Sequence, residues 1–280
     1  MLRQRVATAL VLLALLLPAL IAEKVWPFAV LSLLAFAAGG WEWARLNDAG
    51  RQAVPLGVGL GLACVLALWA GWTTSAPRVA WWVAMGAWVL GGAWVLSRGV
   101  AGWPHVPRAI RIGVGLVALW TAWLAMANAK AGGLNFILSI FFLVWAADIF
   151  AYFGGRAFGK RKLAPAISPG KSWAGVWSGM LGALLVAGTW VFIDGRGMTY
   201  YDSLYTLVNE RLTSIGLALV VVFLVAMSVV GDLFESLVKR SAGAKDSSGL
   251  LPGHGGILDR LDALLPVFPI ALALASLSPS

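Results

Sequence analysis

The sequence predicts an all-α polytopic membrane protein with about nine transmembrane helices, its N-terminus cytoplasmic and its C-terminus outside. Three observations lead there. Sixty per cent of the 280 residues are hydrophobic and 12% charged, and the mean hydropathy of +0.86 is far from that of soluble globular chains. Apolar runs recur at about the ~20 residues that a helix needs to cross a bilayer. The Lys and Arg residues are divided unequally between alternate loops, as the positive-inside rule requires. These features exclude a soluble enzyme with unusually apolar helices. They also explain the net charge of +9 without nucleic acid. The single Cys64 lies in an apolar run and permits no intrachain disulfide.

Taken in order, the first expected span, 6–22, follows Arg3 and Arg5, as in a signal peptide. Ala19-Leu20-Ile21-Ala22 is a poor small-x-small cleavage site, which favours a retained anchor. Spans 25–44, 55–73, 79–97 and 110–129 complete an N-terminal region, 1–130, of apolar helices on short loops. Its tryptophans (Trp41, Trp43, Trp69, Trp72, Trp81, Trp82, Trp88, Trp94) read as interfacial anchors. Gly57, Gly59 and Gly61 suit close helix packing better than phosphate binding. No internal repeat is visible, which argues against a transporter built from inverted halves.

The C-terminal region, 131–280, holds spans 134–153, 172–193, 213–231 and 263–278. It also holds two long polar loops, 154–171 and 232–262, while 194–212 reads as a solvated connector. With the N-terminus inside, sixteen of the 21 Lys and Arg fall on the cytoplasmic side, including every one in the two polar loops. Lys24, Arg78, Lys130, Arg196 and Arg211 fall on the other. Both polar loops are therefore expected to be cytoplasmic.

Chemistry is concentrated at the ends of the last spans. Asp232, Glu235 and Lys239 stand at i, i+3 and i+7, one face of a continuing helix. Such a stripe suits either a structural salt bridge or half of a metal site. Lys245-Asp246 and Pro252-Gly253-His254-Gly255-Gly256 follow, and then Asp259, Arg260 and Asp262 begin the last helix. Helix capping accounts for one of those two carboxylates and leaves the other unexplained. Hard cations such as Mg²⁺ bind through one or two carboxylates together with substrate phosphates, and Asp232 with Asp259 could supply such a pair. Gly253, Gly255 and Gly256 would let backbone N–H groups approach phosphate. Lys239, Arg240, Lys245 and Arg260 would neutralise its charge. His254 is either a loop-shaping residue or a substrate contact. The ligand supply argues against zinc, because only His105 offers a second imidazole and no Cys lies nearby.

A second constellation runs from Asp148, inside a span and so expected to face the bundle interior or a wet cavity, to Ser168-Pro169-Gly170-Lys171-Ser172. Pro169 and Gly170 impose a turn, and Lys171 and Ser172 then open a helix, a favourable place for phosphate. The upstream spacing of a P-loop is missing.

Ser236-x-Val238-Lys239-Arg240, Lys245-Asp246 and Leu251-Pro252-x-His254-Gly255-Gly256-Ile257-x-Asp259-Arg260-Leu261-Asp262 resemble, position for position, the signature of the phosphatidate cytidylyltransferases, also called CDP-diacylglycerol synthases. Gly231-Asp232-x-x-Glu235-Ser236 and Asp148…Tyr152-x-Gly154…Gly159-Lys160…Ser168-Pro169-x-Lys171 resemble the same family. Gly170 and Ala174 stand where that family usually has Lys and Glu. The resemblance implies condensation of CTP with phosphatidic acid, giving CDP-diacylglycerol and pyrophosphate, with Mg²⁺ and room for a second cation. It implies a multi-pass protein of the inner (plasma) membrane and leaves a homodimer open. It places Asp232 and Asp259 on Mg²⁺, with Asp246, Asp262 and Glu235 as further candidate ligands or water-holders. Lys239, Arg240, Lys245 and Arg260 would act on the triphosphate. Ser168, Lys171 and Ser172 would bind a substrate phosphate, near Asp148. The rival readings are a CTP-dependent lipid kinase, a CDP-lipid synthase with another acceptor and, from a different class, a transporter.

Overall fold

A computed structural model describes residues 2–277 as a bundle of helices with one small hairpin. The long helices are α1 (Leu2–Ile21), α2 (Trp26–Leu46) and α3 (Ala53–Trp69). After the single turn α4 (Trp72–Ser75) come α5 (Arg78–Gly102), α6 (Arg108–Ala131) and α7 (Leu134–Phe158). Strands β1 (Lys162–Ala164) and β2 (Ser168–Ser172) precede α8 (Trp173–Asp194) and α9 (Leu204–Ser241). A short α10 (Leu258–Leu261) leads into α11 (Leu264–Ala275). Among the described residues, seven helices have the length and hydropathy to cross a membrane.

Of the ninth expected span, 263–278, residue 278 lies outside the described residues; its helix, α11, starts two residues after Asp262 at the cationic end and closes at Ala275, whose carbonyl accepts from Arg211 at 2.6 Å at the other end. It is an inner helix: Val267, Phe268, Ile270, Ala271 and Ala273 are fully buried. The tryptophans divide as well. Trp69 and Trp94 are exposed, as anchors should be, but Trp43, Trp81 and Trp88 are buried. Trp43 stacks on Phe234 at 5.5 Å, and Trp88 and Trp103 meet the same ring edge-on. Aromatic area there gains more from packing inside the protein than from an interface.

Local chemistry sets the element boundaries. Ser172 caps α8 by accepting from Gly175 N at 3.2 Å, and Ser203 caps α9 by accepting from Thr206 N at 3.1 Å. The α7–α8 contact is close because glycines face backbone: a Cβ on Gly179 would lie 2.8 Å from the Ala147 carbonyl oxygen. The connector expected at 194–212 is in part helical, and α9 bends at Thr213 (φ +64°), where the expected span starts. Asp194 organises this end by accepting from Asn135, Thr199, Ser203 and Thr206.

At the opposite end the loops meet. Arg111 pairs with Asp48 at 3.6 Å, Trp103 Nε1 donates to Asn47 Oδ1 at 2.9 Å, and Arg45 donates to the Ser247 carbonyl. Lys171 pairs with Asp232 at 2.6 Å. The Arg- and Lys-rich loops thus share one end of the bundle.

Candidate active site

The stretch 154–171, expected as a loop, contains an antiparallel hairpin in which Lys162 pairs with Ser172 and Ala164 with Ser168. Lys171 and Ser172 end its second strand, and the helix begins one residue later. The strand carries Lys171 across to α9, where its ammonium meets Asp232 Oδ2; Ser236 Oγ donates to the other oxygen at 3.3 Å. Between α7, α8 and α9 lies a cavity of about 450 Å³. Asp148, Arg156, Lys162, Lys171 and Asp232 line it together with Val176, Val225 and Val229. Asp148 therefore faces a cavity, as its place in a span required. Ser168 is half-buried in the hairpin and is not among the lining residues.

The second constellation is built by carboxylates. Lys239 Nζ bridges Glu235 Oε2 at 2.6 Å and Asp259 Oδ1 at 2.5 Å. The other Asp259 oxygen accepts from Gly256 N at 2.7 Å, Ser247 N at 3.0 Å and Ser247 Oγ at 2.9 Å. Burial alone would raise the Asp259 pKa, but Lys239 and the backbone N–H donors outweigh it and hold the carboxyl below its ordinary value. Asp259 was expected to face Asp232 across an ion. In this structure its two oxygens accept from Lys239 and from the loop donors Ser247 and Gly256.

The carboxylate that stands with Asp232 is Asp262. Burial, and then the charge of Asp232, raise the pKa of the Asp262 carboxyl above its ordinary value. Gly231 permits this approach, since a Cβ there would lie 2.3 Å from the Asp262 carbonyl oxygen. Glu235 is almost fully buried; its Oε1 has no hydrogen-bond donor, and Oε2 is held by the Lys239 ammonium. Among the described residues no three acidic, His or Cys side chains come together as a ligand set, but Asp232 with Asp262 supplies the one or two hard carboxylates that Mg²⁺ takes together with substrate phosphates.

The glycine turn closes tightly on its own neighbours. Gly253 and Gly255 have φ of +78° and +82°, which only glycine adopts readily. Gly256 lets a hydroxyl and a carboxylate close on the backbone: a Cβ there would lie 2.0 Å from Ser247 Oγ and 2.5 Å from Glu42 Oε1. His254 shapes the turn through its backbone. Its N–H donates to Leu251 O at 2.8 Å, its carbonyl accepts from Arg260, and its Nδ1 is buried without a hydrogen-bond partner. Arg240, Lys245 and Asp246 are exposed, and Arg240 donates to Ala244 O at 3.3 Å. None of the three lines the cavity.

Glu42 was missed. It is fully buried at the end of α2 and accepts from Ser247 and Ser248 hydroxyls and from the Ile257 and Leu258 N–H groups. Its signal was present: an acid inside an expected span.

The chain matches the sequence model of the cytidylyltransferase family over residues 3–278. It is 41% identical to a phosphatidate cytidylyltransferase of Pseudomonas aeruginosa, over 98% of this chain and 97% of that protein. It is 38% identical to a phosphatidate cytidylyltransferase of Haemophilus influenzae, over 96% of each. A Bacillus subtilis phosphatidate cytidylyltransferase is 36% identical over 59% of each chain. With the match running nearly end to end and through both polar constellations, the chain belongs to the cytidylyltransferase family.

Proposed function

We propose that the protein condenses CTP with phosphatidic acid, forming CDP-diacylglycerol and pyrophosphate at the cytoplasmic face of the inner membrane. The observation that carries this reading is the cavity between α7, α8 and α9, whose lining combines cations and carboxylates with valines. A phosphorylated lipid needs both kinds of lining at once. The names of the relatives support the same substrate pair. The split of cationic residues between alternate loops supports the cytoplasmic face.

A phosphatidate phosphate oxygen attacks the α-phosphorus of CTP, a new P–O bond forms, and the bond to the bridging oxygen breaks to release pyrophosphate. Chemistry of this kind rests on positioning and charge neutralisation. Lys171, Lys162 and Arg156 bind the lipid phosphate in the cavity. Lys239 and Arg260 stand on the loop side, toward the triphosphate. Asp232 and Asp262 would hold Mg²⁺, which when bound supplies positive charge to the phosphates. The attacking phosphate is already ionised at neutral pH, so no side chain need act as a strong base.

The test is incubation of purified protein with cytidine-labelled CTP, phosphatidic acid and Mg²⁺. Label in a chloroform-soluble product, with release of pyrophosphate, is expected. Release of CDP with phosphorylation of a lipid alcohol would replace this reading with that of a lipid kinase.

A further inference from the structure

Glu42 belongs to neither polar constellation, yet it holds the second one together. It lies in the last turns of α2, more than 200 residues from its partners in sequence. All four donors converge on one carboxylate. Ser247 Oγ donates to Oε2 at 3.0 Å, and Leu258 N to the same oxygen at 2.7 Å. Ile257 N donates to Oε1 at 3.0 Å, and the Ser248 hydroxyl donates there too. One turn further along α2, Arg45 donates to the Ser247 carbonyl.

The donors come from both ends of a single loop. Ser247 and Ser248 precede the glycine turn, and Ile257 and Leu258 follow it, immediately before Asp259. Ser247 Oγ also lies 2.9 Å from Asp259 Oδ2, and a hydroxyl has one proton to share between the two carboxylates. Gly256 closes against Glu42 and Ser247 together. A side chain this buried, bonded to charged-group standard on four sides, fixes the geometry of what it holds.

We infer that Glu42 is a positioning residue for the cytidylyl-transfer site: it clamps the loop 247–258 and so sets Asp259, Lys239 and the carboxylates beside them. The inference rests on the proposed reaction only for its kinetic readout. Because no residue of 246–258 is among those lining the lipid cavity, loss of the clamp should act on CTP more than on phosphatidate.

The test is Glu42→Gln in the full-length protein, which keeps the shape but sets an amide against the four donors. Amide hydrogen exchange across 246–258 is expected to accelerate at least tenfold, and kcat/KM for CTP to fall about 10- to 100-fold, the worth of one or two hydrogen bonds to a charged group. KM for phosphatidate is expected to stay as in the wild type. Unchanged exchange together with unchanged CTP kinetics would overturn the inference. So would equal losses toward both substrates, which mark a general loss of fold. If Glu42→Gln does not accumulate, Ser248→Ala removes the bond to Glu42 and the one Ser248 Oγ accepts from Leu250 N, and leaves Asp259 untouched. It should shift exchange and CTP kinetics in the same direction by less, and wild-type behaviour there overturns the clamp. A wild-type protein that does not turn over CTP would sink the proposed reaction, while the exchange arm still decides the role of Glu42.

Discussion

Asp232 and Asp259 were expected to share one task, and their partners divide them. Asp232 has a weak hydroxyl donor and one lysine, and its side chain is 31% exposed to the cavity. Asp259 is enclosed by Lys239 and three donors from its own loop. Asp232→Asn should therefore abolish turnover while the protein inserts and melts as the wild type does; retained Mg²⁺-dependent turnover would remove Asp232 from the ion. Asp259→Asn should loosen the loop as well, because breaking one partner of a buried pair costs on the order of 3 kcal/mol. The folded pKa of Asp259 lies below its unfolded one, so its contribution is present above the ordinary carboxylate value of ~3.9 and is lost as pH falls through the folded value. Proteolysis of loop 246–258 should accordingly be constant through neutral pH and rise only in acid. A rise already at pH 6 to 7 would mean that another group closes the loop.

Among the elements, the long helices were legible because a bilayer imposes a length, and hydropathy reports that length directly. The hairpin before α8 was not, since Ser168-Pro169-Gly170-Lys171-Ser172 has neither alternation nor β-branched residues to mark a strand. Nor was the enclosure of α11, because an inner helix and a lipid-facing one are equally apolar in sequence. Its approach to α9 depends on Gly231, where a Cβ would also lie 2.8 Å from Pro266. Gly231→Ala must push α11 and Asp262 away from Asp232. Overpacking of this kind costs about 1–3 kcal/mol, so a lower melting temperature in detergent is expected, with a larger loss of turnover than of folded protein. Wild-type activity in that variant would show that Asp262 does not need its present place.

Over the whole molecule, the motifs of the C-terminal region could be read from residue order, but their support could not. Glu42 and Arg45 reach the loop across a separation that no local pattern records, so α2, apparently scaffold by composition, is part of the site. What composition does record is the sidedness of the bundle. Cationic loops gather where Asp48 meets Arg111 and Lys171 meets Asp232, and Asp194 organises the other end. The positive-inside rule then assigns the cationic end to the cytoplasm. Thiol labelling can test that assignment, because the native Cys64 is fully buried and should contribute little background. Lys160 and Gly249 are exposed at the cationic end, a Cβ on Gly249 meets nothing within 4 Å, and Tyr200 is fully exposed at the other. Lys160→Cys and Gly249→Cys should react with a membrane-impermeant maleimide only in inverted vesicles, and Tyr200→Cys only in intact spheroplasts. Labelling of Lys160→Cys and Gly249→Cys from opposite faces would separate the two polar loops and leave CTP unable to meet both. The reverse pattern for all three would place the site on the side where CTP is absent.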